Sequence, residues 1–596
     1  MSKITKGLTL LALLVLLVIF SSGCAKGTAT PTGQQPVTVP TEAVPPESVP
    51  TDTTVPNTVP EKSQIVIVIS EDPPSFNPII AATGYDSLVM ELVMLGLADM
   101  DVDGNIFPEL SSELPTLENG DVVIDEENGT MDVTWKLRQD IQWADGTPVT
   151  AEDVVFTYNA LVDPEKGSWI QGIEYVDGVE KIDDYTAVVH YNTIYPGYLT
   201  QFGGYQVVIW PAHYCDAEQG FSTWDCASQP LSNGPYVLTE WVVGDHMTFE
   251  RNPNYFEPGK PAIDRIVVRI VPDETVRKQM LINGDADLDM WTTEPIIAEL
   301  QNQPNTVVSF SPYTRWVLRI FFNFAAKGTT DPVATSHPVF SDVRVRRAVQ
   351  MAIDAKTISK EFFYGFANLV WTEFYRAPYN LCDIPEPVYD PEAAKALLEE
   401  AGWTDQDGDG VRECHGCITG AEEGYKMEME FITYAEYGEA LELTQQFIAE
   451  ELAAIGIKLN LSVVEGSVLW ALSTDGGIEP SGNFDIDIWD DGYAGSDPTD
   501  FLWSYYTSGG AAIDMGYNYG RYLNPEIDDL INQAYTLDED LRKDLFCQIA
   551  KRLNEDLPEL LLFTTVDANT HSTRLQGVQS NPNDIVTWNA ADWTLK

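Results

Sequence analysis

Between Ile488 and Phe501 the chain reads IWDDGYAGSDPTDF, with four aspartates, two glycines and three aromatic residues in fourteen positions. Three chemistries use such a set. Paired carboxylates serve acid–base catalysis, alternating carboxylates hold calcium, and carboxylates beside aromatic rings receive an ammonium group or a sugar. Catalysis fits least. Asp490 and Asp491 are adjacent, and neighbours on a strand point to opposite faces. The six histidines, at 190, 213, 246, 337, 415 and 571, are scattered, and no HExxH, GxSxG, Walker or GxGxxG pattern occurs. The expectation is a binding protein that requires no cofactor, not an enzyme. Trp489 and Tyr493 would offer ring faces, and Asp490, Asp491 and Asp497 acceptors.

A second acidic stretch, DQDGDGVRE, sets Asp405, Asp407, Asp409 and Gly410 in the opening pattern of a calcium loop. The twelfth position is Gly416, where an EF-hand needs a bidentate glutamate, so a full EF-hand is excluded. Either a solvated turn or a small structural calcium site is expected. Seven cysteines are present, and setting Cys24 aside leaves six. Cys215 and Cys226 bracket one loop, a plausible clip. Cys414 and Cys417 form CHGC without a second CxxC, so a local disulfide or a clip to Cys382 is favoured over zinc. Cys382 and Cys547 remain, and the pairing is left open.

The elements that must position these residues alternate between strand and helix. QIVIVIS is a short apolar strand, and MDVTWKLRQDIQW alternates as a half-buried strand should. AIDRIVVRIVPD reads as a strand followed by a helix that Gly284 ends. DPEAAKALLEEAGW has Asp390 as cap, Pro391 at the first helical position and Gly402 as stop. Leu441, Phe447, Ile448, Leu452 and Ile455 share one helical face. After Gly456, Ile457, Leu459 and Leu461 alternate as a strand. Such helix-to-strand returns belong to an α/β fold.

The first residues address the compartment. Lys3 and Lys6 precede LTLLALLVLLVIF, which ends at SSGC. A basic start, a short apolar run and small residues describe a secretory signal over 1–23. Its end resembles a bacterial lipoprotein signal, in which Cys24 is lipidated, although Ser21 stands where that pattern usually has Leu. Residues 24–62 are rich in Pro and Thr and lack aromatic residues, as a semi-rigid tether does. The remaining body is too long for one core. Formal charge is −58, which argues against nucleic acid and anionic lipid head groups as partners. An exported body held at a membrane by a lipid is expected.

Eight segments then occur in a recognisable order: DPPSFNPI, LGLADMDVDGNIFPELSSELP, WKLRQDIQWADGTPVTAEDVVFTYNAL, SNGPYVLTEWVVGDHMTFERNPNYF, FFNF with HPVFSDVRVRRAVQMAID, YDPEAAKALLEEAGWTDQDGDGVRE, IAEELAAIGIKLNL, and FDIDIW with SDPTDF. From about Ser63 to its end the chain resembles the large family 5 solute-binding proteins of ABC importers, which serve oligopeptides, dipeptides, nickel and some oligosaccharides. The resemblance implies a type II periplasmic-binding-protein-like fold of three lobes. The first would take 63–108, 231–315 and 561–596, the second 109–230, and the third 316–560. Ligand would lie between the first and third, which close about crossings near 311–320 and 557–566. The permease and ATPase would be separate chains and the receptor a monomer on the outer face of the cytoplasmic membrane.

In the peptide-binding members, a pattern like Trp-Gly-Ala-Asp-Tyr-Pro-Asp-Pro carries an Asp that grips the ligand's α-ammonium. Asp497 and Pro498 match its close, and Ala494 stands where the gripping Asp would be. Either Asp490 or Asp491 supplies the missing carboxylate, or the ligand is a neutral sugar stacked on Trp489 and Tyr493. The resemblance also puts Ser75, Phe76, Asn77, Tyr85, Trp316, Asn323 and Phe563 near the cleft. A peptide is the favoured ligand and an oligosaccharide the alternative. A metal chelate ranks third for want of a histidine cluster.

Overall fold

The computed structural model describes residues 63–77, 84–163, 165, 167, 170, 172–204, 207–220, 224–380, 382–493, 495 and 497–596; the signal, Cys24, the tether and Ala494 lie outside these. The body is mixed α/β around three principal sheets. In the first lobe seven strands run in the order Thr306–Phe310, Ala568–Ser572, Leu288–Asp289, Gln64–Ile69, Arg265–Ile270, His246–Arg251 and Tyr236–Val242. Gln64–Ile69 lies inside this sheet, parallel to Arg265–Ile270, so its isoleucines at 65, 67 and 69 are fully buried. The following helix Glu274–Asn283 starts where the Asp273 side chain accepts the Val276 N–H at 3.0 Å. It stops at Gly284, whose φ of 80° suits a residue without a Cβ.

The second lobe carries a four-stranded antiparallel sheet, Val122–Asp125, Thr130–Lys136, Thr186–Tyr191 and Val176–Asp183. Met131, Val133 and Trp135 are buried while their neighbours are not, as alternation in the sequence requires. Helix Ala151–Leu161 packs on it, and the Asp153 carboxylate accepts the Thr150 N–H at 2.8 Å.

The third lobe is a six-stranded sheet ordered Asn368–Leu369, Glu559–Thr564, Val317–Phe322, Ile486–Asp491, Glu428–Tyr434 and Lys458–Val464. Glu428–Tyr434, helix Glu439–Ala454 and Lys458–Val464 form a parallel crossover unit. Leu441, Ile448, Leu452 and Ile455 are buried, and Phe447 packs edge-on to Phe362. Leu461 departs from the expected alternation and is exposed, because Lys458–Val464 is the sheet's edge strand.

Three disulfides join Cys215 to Cys226, Cys382 to Cys547 and Cys414 to Cys417. CHGC therefore closes on itself, and Cys382 reaches across 165 residues instead. In the acidic turn, oxygens of Asp405, Asp407, Asp409 and Glu413 cluster within 4.8 Å of one another. The Lys426 ammonium contacts both Asp407 and Asp409, supplying positive charge to that turn.

Two chain segments pass from the first sheet to the third, 311–316 and 565–567. They bond to each other: Thr565 N–H donates to the Trp316 carbonyl at 2.8 Å, and Ser311 N–H to the Asp567 carbonyl at 3.0 Å. The Ser311 hydroxyl also donates to the Asp567 carboxylate. A paired two-stranded crossing is the form a hinge takes when two lobes close on a ligand.

Candidate ligand-binding cleft

Strand Ile486–Asp491 is central in the third sheet, and its alternation sorts the sequence's acidic and aromatic candidates. Ile486 and Ile488 face the core beneath one side of the sheet, while Trp489 packs into the core on the other. Trp489 stacks on Phe321 with ring centres 4.4 Å apart and is 4 % exposed. The ring-platform role expected for it is therefore corrected: it is core.

Asp490 and Asp491 end this strand half-buried, in different surroundings. Asp491 accepts from the Tyr505 hydroxyl and the Gly492 N–H, and its carbonyl accepts from Arg319 at 2.7 Å. Its acceptors are thus used internally. Asp490 accepts only the Tyr434 hydroxyl at 2.7 Å among the side-chain bonds described, and it forms no ion pair among the described residues. Burial and the neighbouring Asp491 charge push its carboxyl up to about 6, against the pull of Tyr434.

Aromatic rings cluster about Tyr434, the partner of Asp490. Tyr434 lies 5.0 Å from Trp470 and 6.1 Å edge-on from Tyr437 by ring centres. The Tyr437 hydroxyl is pushed well above its ordinary range by burial and by the charges of Asp490 and Glu294. Glu294 begins a helix of the first lobe, so Tyr437 feels the charge of carboxylates from both sides. On the first-lobe side, Trp291 is 40 % exposed and meets Tyr85 at 5.3 Å.

Below the strand lies a buried ionic cluster that sequence reasoning missed. Arg319, fully buried, pairs with Glu373 at 2.7 Å and Glu559 at 3.3 Å. The Tyr506 hydroxyl bridges the same two carboxylates. Burial pushes Glu559 up to about 7, against the attraction of Arg319. Beside it, Arg376 lies over the Tyr493 ring at 3.8 Å and donates to the carbonyls of Tyr493 and Gly495, holding the loop after the strand.

The other expected residues divide. Trp316 is 40 % exposed at the hinge, with the Arg315 guanidinium 4.2 Å over its ring. Tyr85 donates or accepts at Ser70 through its hydroxyl, 2.8 Å away. Ser75 and Asn77 share a turn in which the Ser75 hydroxyl accepts the Asn77 N–H at 3.0 Å. Phe76 is fully buried against Trp241 and Phe249, and Phe563 against Phe363, so both are core rather than cleft. Asn323 is fully buried too, donating to the Gly482 and Phe484 carbonyls. Tyr493 is 2 % exposed under Arg376 and offers no open face. Asp497 pairs with Arg542 and accepts the Thr499 N–H at 2.9 Å, a structural role at a helix start. Tyr434, Tyr437, Trp470, Trp291 and Glu294 were not predicted. Only the strand's fold against its neighbours brings them together.

A cavity of about 70 Å³ lies where the three lobes meet, lined among others by Asp99 and Asn583, by Tyr195 and Gln201, and by Asp497 and Asp500. Nearby, Tyr175 of the second lobe and Tyr535 of the third both reach the Asp500 carboxylate, at 3.3 and 2.7 Å.

The fold is shared with known proteins. Residues 122–512 match the profile described as bacterial extracellular solute-binding proteins, family 5 Middle. The chain is 23% identical to the oligopeptide-binding protein AppA of Bacillus subtilis over 88% of its own length and 90% of that protein. It is 26% identical to the nickel-binding periplasmic protein of Escherichia coli over 80% of itself and 84% of that protein. The structure of HbpA2 from Haemophilus parasuis superposes with a TM-score of 0.72 at 21% identity, covering 89% of this chain and all of that one. The profile spans well over half of the chain, which therefore belongs to the bacterial extracellular solute-binding proteins of family 5, substrate-binding components of transport systems and not enzymes.

Proposed function

We propose that the protein captures peptides outside the cytoplasm and hands them to a membrane permease driven by a separate ATPase, with Asp490 gripping the ligand's ammonium group. The observation that carries this reading is the Asp490 carboxylate, half-buried beside Tyr434 and Tyr437 and without an ion-pair partner among the described residues. A carboxylate–ammonium contact there is charge-assisted and offsets part of the cost of the group's burial. The similarity to a protein named as oligopeptide-binding supports the ligand class. The oligosaccharide alternative relied on Trp489 and Tyr493 as platforms, and both are buried. Lipidation of Cys24 would hold the body at the membrane, with 24–62 as its leash.

The test is a thermal-shift screen of the body against di- to pentapeptides, their N-acetylated forms and oligosaccharides, with mass spectrometry for ligand carried through purification. Free-amine peptides alone should raise the melting temperature, by an amount set by concentration over dissociation constant. Equal shifts from acetylated peptides, or a shift from sugars only, would refute the assignment. For the anchor, Cys24→Ser should release the protein from membranes.

A further inference from the structure

Glu91 closes the helix Tyr85–Met90, Asp99 lies in the strand Ala98–Met100, and Asp584 belongs to the C-terminal segment. Folding brings these three carboxylates together, with an oxygen of each within 4.8 Å of the others. Glu91 and Asp99 are only 7 % and 2 % exposed. Glu109 stands close enough to repel them, and accepts the Gly96 N–H at 3.0 Å. Asp99 accepts the Met100 N–H and Asp584 the Ile585 N–H, the Asp99 and Asp584 carboxyls lie within hydrogen-bonding reach of each other, and the second oxygen of Asp584 is buried without a donor among the described residues. None of the four forms an ion pair with a Lys, Arg or His among the described residues.

Carboxylates this close cannot all be ionised in a dry interior, so either protons or a cation must neutralise them. An independent observation favours the cation. Gln201 is 5 % exposed, neither its amide oxygen nor its nitrogen has a partner among the described residues, and it lines the same cavity as Asp99. A proton shared between carboxylates leaves that amide unsatisfied. A hydrated cation at the cavity wall gives it work, because waters on the ion both donate and accept. The cavity of about 70 Å³ has room for several waters.

We propose that Glu91, Asp99 and Asp584 hold a divalent cation of the calcium class, its coordination completed from the cavity beside Gln201. The donors are all hard oxygens, and neither sulfur nor imidazole is among them, which selects calcium over nickel, copper or zinc. The ion is a structural part of the receptor, separate from its cargo. Within the first lobe it ties Asp584 of the returning C-terminal segment to Glu91 and Asp99 near the chain's start, beside the cavity that Asp99 lines.

The experiment uses the whole secreted protein, stripped with EDTA and dialysed at pH 7.5. Elemental analysis after calcium addition and desalting should find calcium bound, and calcium chloride should raise the melting temperature more than magnesium does. Asp99→Asn and Glu91→Gln should each weaken calcium binding on the order of tenfold or more. Asp407→Asn, in the exposed turn, should leave it unchanged. The two carboxylate variants are used in parallel, and the wild-type titration stands alone if either fails to fold. Absence of a calcium effect on the stripped wild type would overturn the proposal and assign protons to the cluster. So would a calcium effect abolished by Asp407→Asn and kept in Glu91→Gln.

Discussion

Replacing Asp490 by Asn removes one charge and keeps the shape. The amide can still accept from Tyr434, so the strand end should hold its place. A hydrogen bond to a charged partner contributes about 1.5–3 kcal/mol, so peptide affinity should fall roughly 10- to 150-fold. The carboxyl sits up at about 6 in the empty protein, and an ammonium ligand binds its ionised form. Peptide affinity in the wild type should therefore be greatest near pH 7, decline below about 6 toward about tenfold per pH unit as the carboxyl takes its proton, and decline again above about 8 as the ligand's ammonium loses its own. The variant should lack that decline. Stability of the empty protein should move the other way. A carboxyl raised on folding contributes stability that is full below its ordinary value and is lost as pH rises through about 6. At pH 7.5 the empty Asn variant should consequently be more stable, by on the order of 1–3 kcal/mol. Calorimetric titration with a tripeptide and its N-acetylated form, at pH 7.5, 6 and 5, reads affinity, and urea unfolding reads stability. Unchanged affinity in the variant, or wild-type binding indifferent to pH and to acetylation, would refute the reasoning.

Trp489→Ala should destabilise the empty protein by about 3–5 kcal/mol, since it removes a ring stacked in the core; a normal melting temperature with lost binding would return it to the cleft. Arg319→Met strands Glu373 and Glu559 and should cost about 3–5 kcal/mol at pH 8. That cost should shrink as pH falls below about 7, where Glu559 takes a proton, and a pH-independent cost would contradict the assignment. Reducing Cys382–Cys547, or replacing both by Ala, should lower stability by about 4–5 kcal/mol because the bond spans 165 residues. Removing Cys414–Cys417, which spans three, should cost far less in the same unfolding assay.

Local chemistry made much of the scaffold legible. Asp390 before Pro391, with Gly402 after, marks a helix that runs from Pro391 to Glu400, with the Asp390 side chain on the Ala393 N–H. Alternation in MDVTWKL marks a strand because only one face of it is buried. The cleft was less readable. Trp489 and Asp490 differ by one place on one strand, and pairing with Val317–Phe322 decides which of them meets solvent. Nothing near residue 490 in sequence announces that pairing. Arg319 and its carboxylate partners lie 54 and 240 residues apart, so their meeting depends on the fold alone. Leu461 misled because alternation signals burial only where a neighbouring layer covers the strand, and an edge strand lacks it.

The clasp of Tyr175 and Tyr535 on Asp500 joins the second and third lobes near the cavity where the three lobes meet. Whatever it contributes to closure is contributed alike for every ligand that closes the cleft. Such a contact deepens all affinities together and separates none of them. On the proposed reading, selectivity is left to the few groups around Asp490. Weakening the clasp would loosen every ligand by one common factor and leave their ranking untouched.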